Sequence, residues 1–439
     1  MEVDKTTISD LGIFNADSES SVFEQLNRTV TSRGKEQLRK QFMHPLSTIE
    51  EINGTQDTIK KIMSFLQNWP ACISNGSILV IEKFYESYLD PIPANAGKWD
   101  AFIYKLLHGP DFSLLRYSLG HCFDFLKGMM MIAGLPGDDQ LPQPLKKNLD
   151  EVKSLLQHPE LHIVKKYEKP ALLTNLEILR LGYFLLYRFK HQMQTLLRLH
   201  AQLDAWYAMA KYTLEKGLVF PEFSNANTPF FLAEGLYHPL VPNAIPYNVE
   251  TGRERNFIFL TGANMAGKST FIKSVGISVF LAHVGMAVPA KNMRLSVFHG
   301  LLSNINVMDN IVKGESYFFN EVQRIKKSIT QINDGRNWLI LIDELFKGTN
   351  IQDAMKCSLT VIEGLLKSRN SIFILSTHLY EISENLKHYS NIIFRYFETE
   401  IRDEELYFNY RLRDGVSNDR MGYLILKQHG VIELLNRLQ

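Results

Sequence analysis

The sequence contains only three cysteines, and their scarcity excludes several classes of protein. Cys72, Cys122 and Cys357 are isolated from one another and lack the spacing of a metal site. A small secreted protein held together by disulfides would carry many more. We therefore expect three structural thiols in a reducing compartment, and we place the protein in the cytoplasm.

Long apolar runs are also missing. No uninterrupted apolar stretch reaches the ~20 residues that a membrane-spanning helix needs, and the first five residues contain no apolar signal region. Hydrophobic residues make up 45% and charged residues 22% of the chain, which is typical of a globular protein. We expect no membrane partner, and a chain of 439 residues predicts about two or three domains.

An excess of positive charge is the third feature that the sequence lacks. Its 48 Lys and Arg residues balance 47 Asp and Glu residues, for a net charge of +1. Domains that bind nucleic acid usually carry a basic excess because they neutralise phosphates. The composition therefore argues against strong DNA affinity of the monomer, although a balanced total can contain a local basic patch.

The two halves of the chain differ in their hydrophobic pattern. Up to residue 220, apolar residues recur every three or four positions and prolines separate the runs, which predicts helices. The last run, 172–215, is long enough for one extended helix or two joined helices. After a polar bridge at 220–229, short β-rich runs alternate with helical stretches, which predicts an α/β domain. The predicted strands include 257–260, 338–342, 371–375 and 391–394.

A glycine-rich motif connects the first of these strands to an apolar helix. Residues Gly262–Ser269 match G-x-x-x-x-G-K-[ST] at every defined position. In such a loop, backbone N–H groups and the helix N-terminus surround the phosphates of a nucleotide. Lys268 would neutralise the β- and γ-phosphates, and the hydroxyl of Ser269 would ligate Mg²⁺. The motif predicts a site for a nucleoside triphosphate.

Two acidic residues follow the strand at 338–342. Asp343 would hold Mg²⁺ together with Ser269, and Glu344 would orient or deprotonate the attacking water. Two adjacent acids can also be no more than a solvated strand end. Their place downstream of the glycine-rich motif favours the catalytic interpretation and predicts ATP hydrolysis.

Two further elements are weaker signals by themselves. His378 follows the strand at 371–375, where ABC-type ATPases place a histidine near the γ-phosphate, although a histidine at a strand end is often structural. Ser316 begins a helix that extends to about Ile332, and a serine there is usually only a helix cap. ABC-type ATPases have a signature helix at this position, whose serine contacts the γ-phosphate held by a partner subunit.

The order of these motifs and the residues within them resemble those of the MutS mismatch-repair family. Thr261–Thr270 is similar to its TGPNMGGKST, with Ala263 and Ala266 as the two departures, and Asp343–Asn350 is similar to its DELGRGTS. Ser376–His378 matches the ATH of the family, and Tyr237–Pro239 matches the RHP that opens its ATPase domain. Gly314–Ser316 looks like the signature segment.

The helical half resembles the core, or lever, domain of the same family from about Leu26 onwards. The resemblance implies a lever-like helical domain over 1–220, with a reduced or absent DNA clamp, and an ABC-type P-loop ATPase domain over 221–439. Because the lever motif begins so early, we expect neither the mismatch-recognition domain nor the connector domain. The expected fold class is therefore α + α/β, with a mixed, mainly parallel sheet in the ATPase domain.

The resemblance also completes the expected site. It places Tyr410 where the family has an aromatic residue or histidine against adenine, although packing would equally explain a tyrosine on an alternating strand. Glu344, His378 and Lys268 are the expected catalytic residues, and Ser269 and Asp343 the expected metal ligands. The residues expected to bind ATP are Gly262, Ala263, Asn264, Met265, Ala266, Gly267, Lys268, Ser269, Thr270, Ser316 and Tyr410.

Two functions remain open at the level of sequence. In the first, the chain is a dimeric, DNA-binding ATPase of mismatch repair or related DNA metabolism, with composite ATP sites at the dimer interface. In the second, it is an ATP-gated dimer whose helical half binds a protein partner and which has lost mismatch recognition. The resemblance favours the first, and the balanced charge favours the second.

Overall fold

A computed structural model describes residues 1–14, 21–137, 140–306, 317–402, 405–417 and 431–435. The chain divides into two compact units. The first, here called the helical unit, comprises Leu26–Met43 and Gly54–Lys216; the second, the sheet unit, comprises Met1–Gln25, His44–Asn53 and Gly217–Gln439. The expected boundary at residue 220 lies close to Gly217, but the sequence pattern does not anticipate that two N-terminal segments group with the C-terminal residues.

Helices account for nearly all regular structure before residue 217, as the three- and four-residue spacing predicts. The described elements of this part are β1 Glu2–Val3, α1 Lys5–Asp10, α2 Val22–Leu26, α3 Ser32–Met43, α4 Ile49–Ser64, α5 Asn75–Glu86, α6 Lys98–Leu107, α7 Gly109–Gly134, α8 Gln143–Leu156, α9 His162–Lys166, α10 Asn175–Tyr183 and α11 Lys190–Lys216. Single 3₁₀ turns occur at Leu66–Asn68, Pro159–Leu161 and Pro170–Leu172. A π-helical turn, Phe184–Arg188, joins α10 to α11, so the run from 172 to 215 contains two joined helices.

The start of α3 shows how side chains of the helical unit fix its helices. Asp204, on α11, is almost fully buried, and its carboxylate accepts hydrogen bonds from the backbone N–H groups of Val30 (2.8 Å) and Thr31 (2.9 Å) and from the Thr31 hydroxyl (2.7 Å). These bonds satisfy polar groups just before α3 begins. Gly34 lies against the same carboxylate, and a Cβ there would fall only 2.0 Å from Oδ2. A glycine is therefore required at this close approach.

Helix α6 presents an apolar side to solvent. Ala101 and Tyr104 on its inner side are buried. The outer side carries large apolar side chains at positions i, i+3, i+4, i+7 and i+8, each between 48% and 79% exposed: Trp99, Phe102, Ile103, Leu106 and Leu107. Contiguous exposed apolar surface of this kind is uncommon on a monomeric protein and usually marks an interaction site.

The sheet unit contains the predicted alternation of strands and helices. Its elements after residue 217 are β2 Glu222–Ser224, β3 Phe230–Leu236, β4 Tyr247–Gly252, β5 Phe257–Thr261, α12 Lys268–His283, β6 Asn292–Ser296, β7 Gly300–Asn304, α13 Tyr317–Ile332, β8 Trp338–Asp343, α14 Ile351–Leu365, β9 Ser371–Ser376, α15 Ser383–Leu386, β10 Ile392–Arg402, β11 Glu405–Asp414 and α16 Val431–Leu435. A 3₁₀ turn lies at Tyr380–Ile382. The four strands predicted from sequence are confirmed as β5, β8, β9 and β10.

The described strands form two sheets. Seven strands make the larger sheet in the order β1-β7-β8-β9-β5-β10-β11, in which every neighbouring pair is parallel except β10 and β11. The smaller sheet has the order β2-β6-β3-β4. The expected mixed helical and sheet structure, with a mainly parallel sheet, is therefore confirmed.

The register of the larger sheet decides where the polar strand ends meet. Ser376 at the end of β9 pairs with Leu260 of β5 on one side and with Asp343 of β8 on the other. Because parallel strands point the same way, the three loops that follow β5, β8 and β9 leave the sheet at one edge. The three strands are buried along their length, with Phe257, Trp338 and Phe373 in the core.

None of the helices in the described parts of the chain combines the length and the apolar character needed to cross a membrane.

Candidate functional site

The loop between β5 and α12 turns at two glycines with positive φ angles. Gly262 (φ +139°) and Gly267 (φ +107°) adopt conformations that side chains rarely tolerate. A Cβ on Gly262 would lie 3.2 Å from the backbone oxygen of Phe397, and one on Gly267 would lie 3.3 Å from the ring of Tyr410. Helix α12 begins immediately afterwards at Lys268, so its unpaired N–H groups are directed at the loop.

Lys268 is the buried cation of this loop. Only 5% of the residue is exposed, and its ammonium group donates to the backbone oxygens of Gly262 (2.7 Å) and Ala263 (3.1 Å). Burial lowers the pKa of Lys268, although the carboxylates of Glu344 and Asp343 act in the opposite direction. A buried ammonium held by backbone oxygens is ready to exchange these weak partners for an anionic ligand.

Asp343, at the end of β8, is joined by hydrogen bonds to the start of α12 and to the end of β9. The residue is 8% exposed, and its carboxylate accepts one hydrogen bond from the Ser269 hydroxyl of α12 and another from the Ser376 hydroxyl of β9. A carboxylate and a hydroxyl in contact are hard oxygen ligands of the kind that Mg²⁺ prefers. The residues present therefore fit a magnesium ion, with Ser269 and Asp343 as its ligands.

Glu344 lies next to Asp343 in a strained backbone conformation, with φ +61°. Its Oε1 is 3.6 Å from Nδ1 of His378, and its Oε2 is 3.3 Å from the ammonium of Lys347. These neighbours lower the pKa of Glu344 to about 2: His378 contributes most, and Lys347 and Lys268 add to it against the opposing effect of burial. Glu344 is therefore ionised at neutral pH.

His378 is brought to this carboxylate from the loop after β9, and its side chain is 53% exposed. It contacts Glu344 but does not line the cavity described below, as far as the described residues show. The structure thus brings Lys268, Ser269, Asp343, Glu344 and His378 together at one sheet edge.

A cavity of about 640 Å³ opens over these residues. This volume lies within the ~300–1,000 Å³ range of sites for small ligands. Its charged and polar lining residues include Lys268, Ser269, Asp343, Glu344 and Lys347. The remaining walls come from the glycine-rich loop and from the residues His238, Val241, Pro242, Asn243, Ala244, Ile245, Tyr247 and Tyr410.

The cavity also has an apolar rim. Val241, Ile245, Met265 and Tyr410 are each at least 40% exposed there. Tyr410 lies on β11, which is the edge strand of the larger sheet, and has a positive φ of 53°. Apolar and aromatic side chains at an open rim suit the flat face of a nucleotide base.

Several lining residues were not among those selected from the sequence. His238 is 8% exposed, its Nδ1 accepts from the N–H of Leu240 (3.3 Å), and burial lowers its pKa to about 4. Tyr247 is buried, and burial raises its pKa to about 12. The motif Tyr237–Pro239 marks the position of this loop in the sequence, but it does not indicate what the loop contacts.

Ser316, the signature residue expected from the sequence, lies outside the described residues. Helix α13, which the sequence predicts after it, is present from Tyr317 to Ile332.

Comparison with known proteins supports the sequence resemblance. Residues 258–435 match the family model described as MutS domain V. The DNA mismatch repair protein MutS of Pseudothermotoga lettingae is 32% identical over 226 residues, covering 51% of this chain and 27% of the relative. MutS of Geobacillus thermodenitrificans is 27% identical and covers 90% of this chain and 44% of the relative. MutS of Thermotoga petrophila is 23% identical and covers 100% of this chain and 65% of the relative. The chain thus spans less than two thirds of the length of these curated relatives.

Proposed function

Because the chain belongs to the MutS family, we propose that it is a Mg²⁺-dependent ATPase whose helical unit couples ATP hydrolysis to binding of DNA. The observation that carries the proposal is the hydrogen bond between Ser269 and Asp343 beside the buried Lys268. It joins a phosphate cradle to an acidic strand end, and these are the two parts that phosphoryl transfer to water needs.

The side chains and backbone N–H groups around the glycine-rich loop bind the phosphates and neutralise their charge. Lys268 neutralises the β- and γ-phosphates while the N–H groups at the start of α12 hold phosphate oxygens. Mg²⁺, bound by Ser269 and Asp343, would neutralise charge that develops on the phosphate oxygens. Ser376 fixes the orientation of Asp343 through its hydrogen bond to the same carboxylate.

Glu344 is the proposed general base. It is ionised at neutral pH and it lines the cavity beside Asp343. Its carboxylate orients the attacking water and accepts a proton from it. His378 holds this carboxylate in place from the outer side of the cavity, at 3.6 Å from Oε1.

The apolar rim of the cavity receives the base of the nucleotide. Tyr410 is the aromatic residue of the rim and stacks on adenine, with Val241 and Ile245 providing further apolar contact.

We further propose that two chains form a dimer with composite ATP sites. In this arrangement Ser316 of each chain contacts the γ-phosphate held by the other, as the ABC-type signature implies, and closes the site to water. The domain arrangement proposed for this assembly is a lever-like domain over 1–220 and an ATPase domain over 221–439.

Measurement of steady-state ATPase activity tests the central proposal. The wild-type chain should hydrolyse ATP in the presence of Mg²⁺, and Lys268→Ala should weaken ATP binding at least about tenfold because a buried charge-assisted contact is lost. The exposed Lys291→Ala is a suitable control for removal of a lysine in the same unit. Absence of Mg²⁺-dependent turnover in the wild type would contradict the proposed function.

A filter-binding titration tests the DNA partner. Homoduplex, mismatched and branched DNA should each be titrated with ATP, with ADP and without nucleotide, at several salt concentrations. If DNA is the partner, affinity should fall steeply with salt because phosphate contacts release counterions. No binding to any DNA would favour the second candidate, a protein partner, for which the exposed apolar side of α6 and the net charge of +1 are the supporting observations.

A further inference from the structure

Glu321 is a buried carboxylate that is not among the residues lining the cavity. It lies in the second turn of α13 and is only 3% exposed. Its Oε1 accepts a hydrogen bond from the backbone N–H of Lys347 (3.1 Å), and its Oε2 accepts one from the N–H of Gly348 (3.2 Å). Burial raises the pKa of Glu321, while these backbone N–H groups and that of Phe346 oppose the rise. Burying a carboxylate costs free energy unless hydrogen bonds compensate for the lost water. The buried position of Glu321 is therefore explained by the backbone N–H groups that it binds.

The partner is the loop that follows the two catalytic acids. Within this loop, Glu344 (φ +61°) and Phe346 (φ +58°) both have left-handed backbone conformations without being glycine. Such residues are strained and persist only when their surroundings hold them. Several contacts among the described residues hold this loop. The N–H of Glu344 donates to the backbone oxygen of Ser376 (3.0 Å), and the Phe346 ring packs against Phe318 with centroids 5.6 Å apart. Glu321 accepts from the N–H groups of Lys347 and Gly348.

The conformation of the loop decides where two cavity side chains point. Glu344 and Lys347 both line the cavity, and they contact each other at 3.3 Å. One of the two N–H groups that Glu321 binds is that of Lys347 itself. A loop released from Glu321 could relax toward unstrained backbone angles, which would rotate both side chains away from their present positions.

We propose that Glu321 is a positioning residue for hydrolysis: its carboxylate holds residues 344–348 in the strained conformation that places Glu344 in the cavity. Helix α13 thereby becomes mechanically connected to the catalytic base. The inference rests on the proposed ATPase function, because it assigns Glu344 the role of base.

The test compares Glu321→Gln with Gln323→Ala, an exposed position on the same helix. The glutamine keeps the size of the side chain but turns an amide NH₂ group toward one of the two backbone N–H groups. Turnover should fall roughly 10- to 100-fold, a loss typical of a misplaced catalytic group, while the Kd for a fluorescent ATP analogue changes less than about threefold. Gln323→Ala should behave as wild type.

A double-mutant cycle separates positioning from general destabilisation. If Glu321 acts through Glu344, then adding Glu321→Gln to Glu344→Gln should produce little further loss of turnover, within about threefold. Losses that multiply in the double mutant, or wild-type turnover in Glu321→Gln, would overturn the inference.

Hydrogen exchange provides a readout that does not depend on hydrolysis. In Glu321→Gln, the amides of residues 346–348 should exchange at least about tenfold faster than in wild type, while those of β9 should be unchanged. If Glu321→Gln does not fold, Glu321→Asp, which shortens the side chain by one methylene, should show the same changes to a smaller degree. Wild-type protein without turnover would refute the ATPase proposal alone. Loop amides that exchange equally fast in wild type and variant, or that are unprotected in wild type, would refute the role of Glu321.

Discussion

Replacing Glu344 with glutamine is the sharpest test of the proposed chemistry. The substitution keeps the shape of the side chain and removes its charge and basicity. Glu344 is ionised at neutral pH because His378 and two lysines hold its pKa at about 2. The wild-type carboxylate is therefore available as a base at neutral pH, and the amide is not.

The structure indicates how large the effect should be. Loss of a general base lowers turnover by about 10²- to 10⁴-fold, which corresponds to a barrier higher by roughly 3–5 kcal/mol. Some stability should also be lost, because glutamine removes the contacts of the Glu344 carboxylate with His378 at 3.6 Å and with Lys347 at 3.3 Å, and these contacts lower its pKa. ATP affinity should be retained or increased, since one negative charge beside the triphosphate is removed.

Single-turnover hydrolysis and equilibrium nucleotide binding measure the two effects separately. Glu254→Gln, an exposed position in the turn between β4 and β5, makes the same chemical change away from the cavity and should leave both unchanged. Turnover within threefold of wild type in Glu344→Gln would refute its assignment as base. A parallel loss of ATP binding would show instead that the variant had disturbed the cavity.

Three further predictions concern the rest of the site. Tyr410→Ala should raise the Kd for ATP several-fold without lowering the melting temperature, and an unchanged Kd would reduce Tyr410 to a packing role. The ionised Glu344 should stabilise the fold above pH 4.5, its ordinary pKa, and this contribution should be lost as the pH falls through about 2. In urea titrations, the difference in unfolding free energy between wild type and Glu344→Gln should therefore shrink as the pH falls from 4.5 to about 2. Chains carrying Ser316→Ala and chains carrying Glu344→Gln should partly restore ATPase activity when they are mixed. Turnover per wild-type chain should also rise with protein concentration. Turnover that is independent of concentration, with no rescue on mixing, would exclude a shared site.

The parts of the site that are local in sequence could be predicted. The loop Gly262–Ser269 could be predicted because a strand, a glycine-rich turn and a helix start follow one another directly in the sequence. The strands ending at Asp343 and before His378 are short buried runs, and their carboxyl ends must share an edge once they are parallel. Their meeting at Ser376 therefore follows from pattern and topology together.

The parts that depend on distant contacts could not be predicted. Glu321 lies on an amphipathic helix, where a glutamate normally faces solvent, and only the fold turns it toward the loop at Lys347 and Gly348. The apolar wall from Val241 to Ile245 has no regular hydrophobic period, so the sequence marks it as a loop and says nothing of the cavity it borders.

The beginning of the chain shows the same limit most clearly. Glu2–Val3 is too short to display a strand pattern, yet it pairs in parallel with Gly300 and Leu301 at the end of the larger sheet. Asp10 is 2% exposed and accepts hydrogen bonds from the Ser303 hydroxyl and from the N–H groups of Ile305 (3.0 Å) and Asn306 (3.1 Å). These partners lie almost 300 positions away, so no local periodicity can indicate them. Because Asp10 fixes the end of β7, the sheet edge that bears the candidate site is stabilised by residues that the sequence pattern assigns to the helical half.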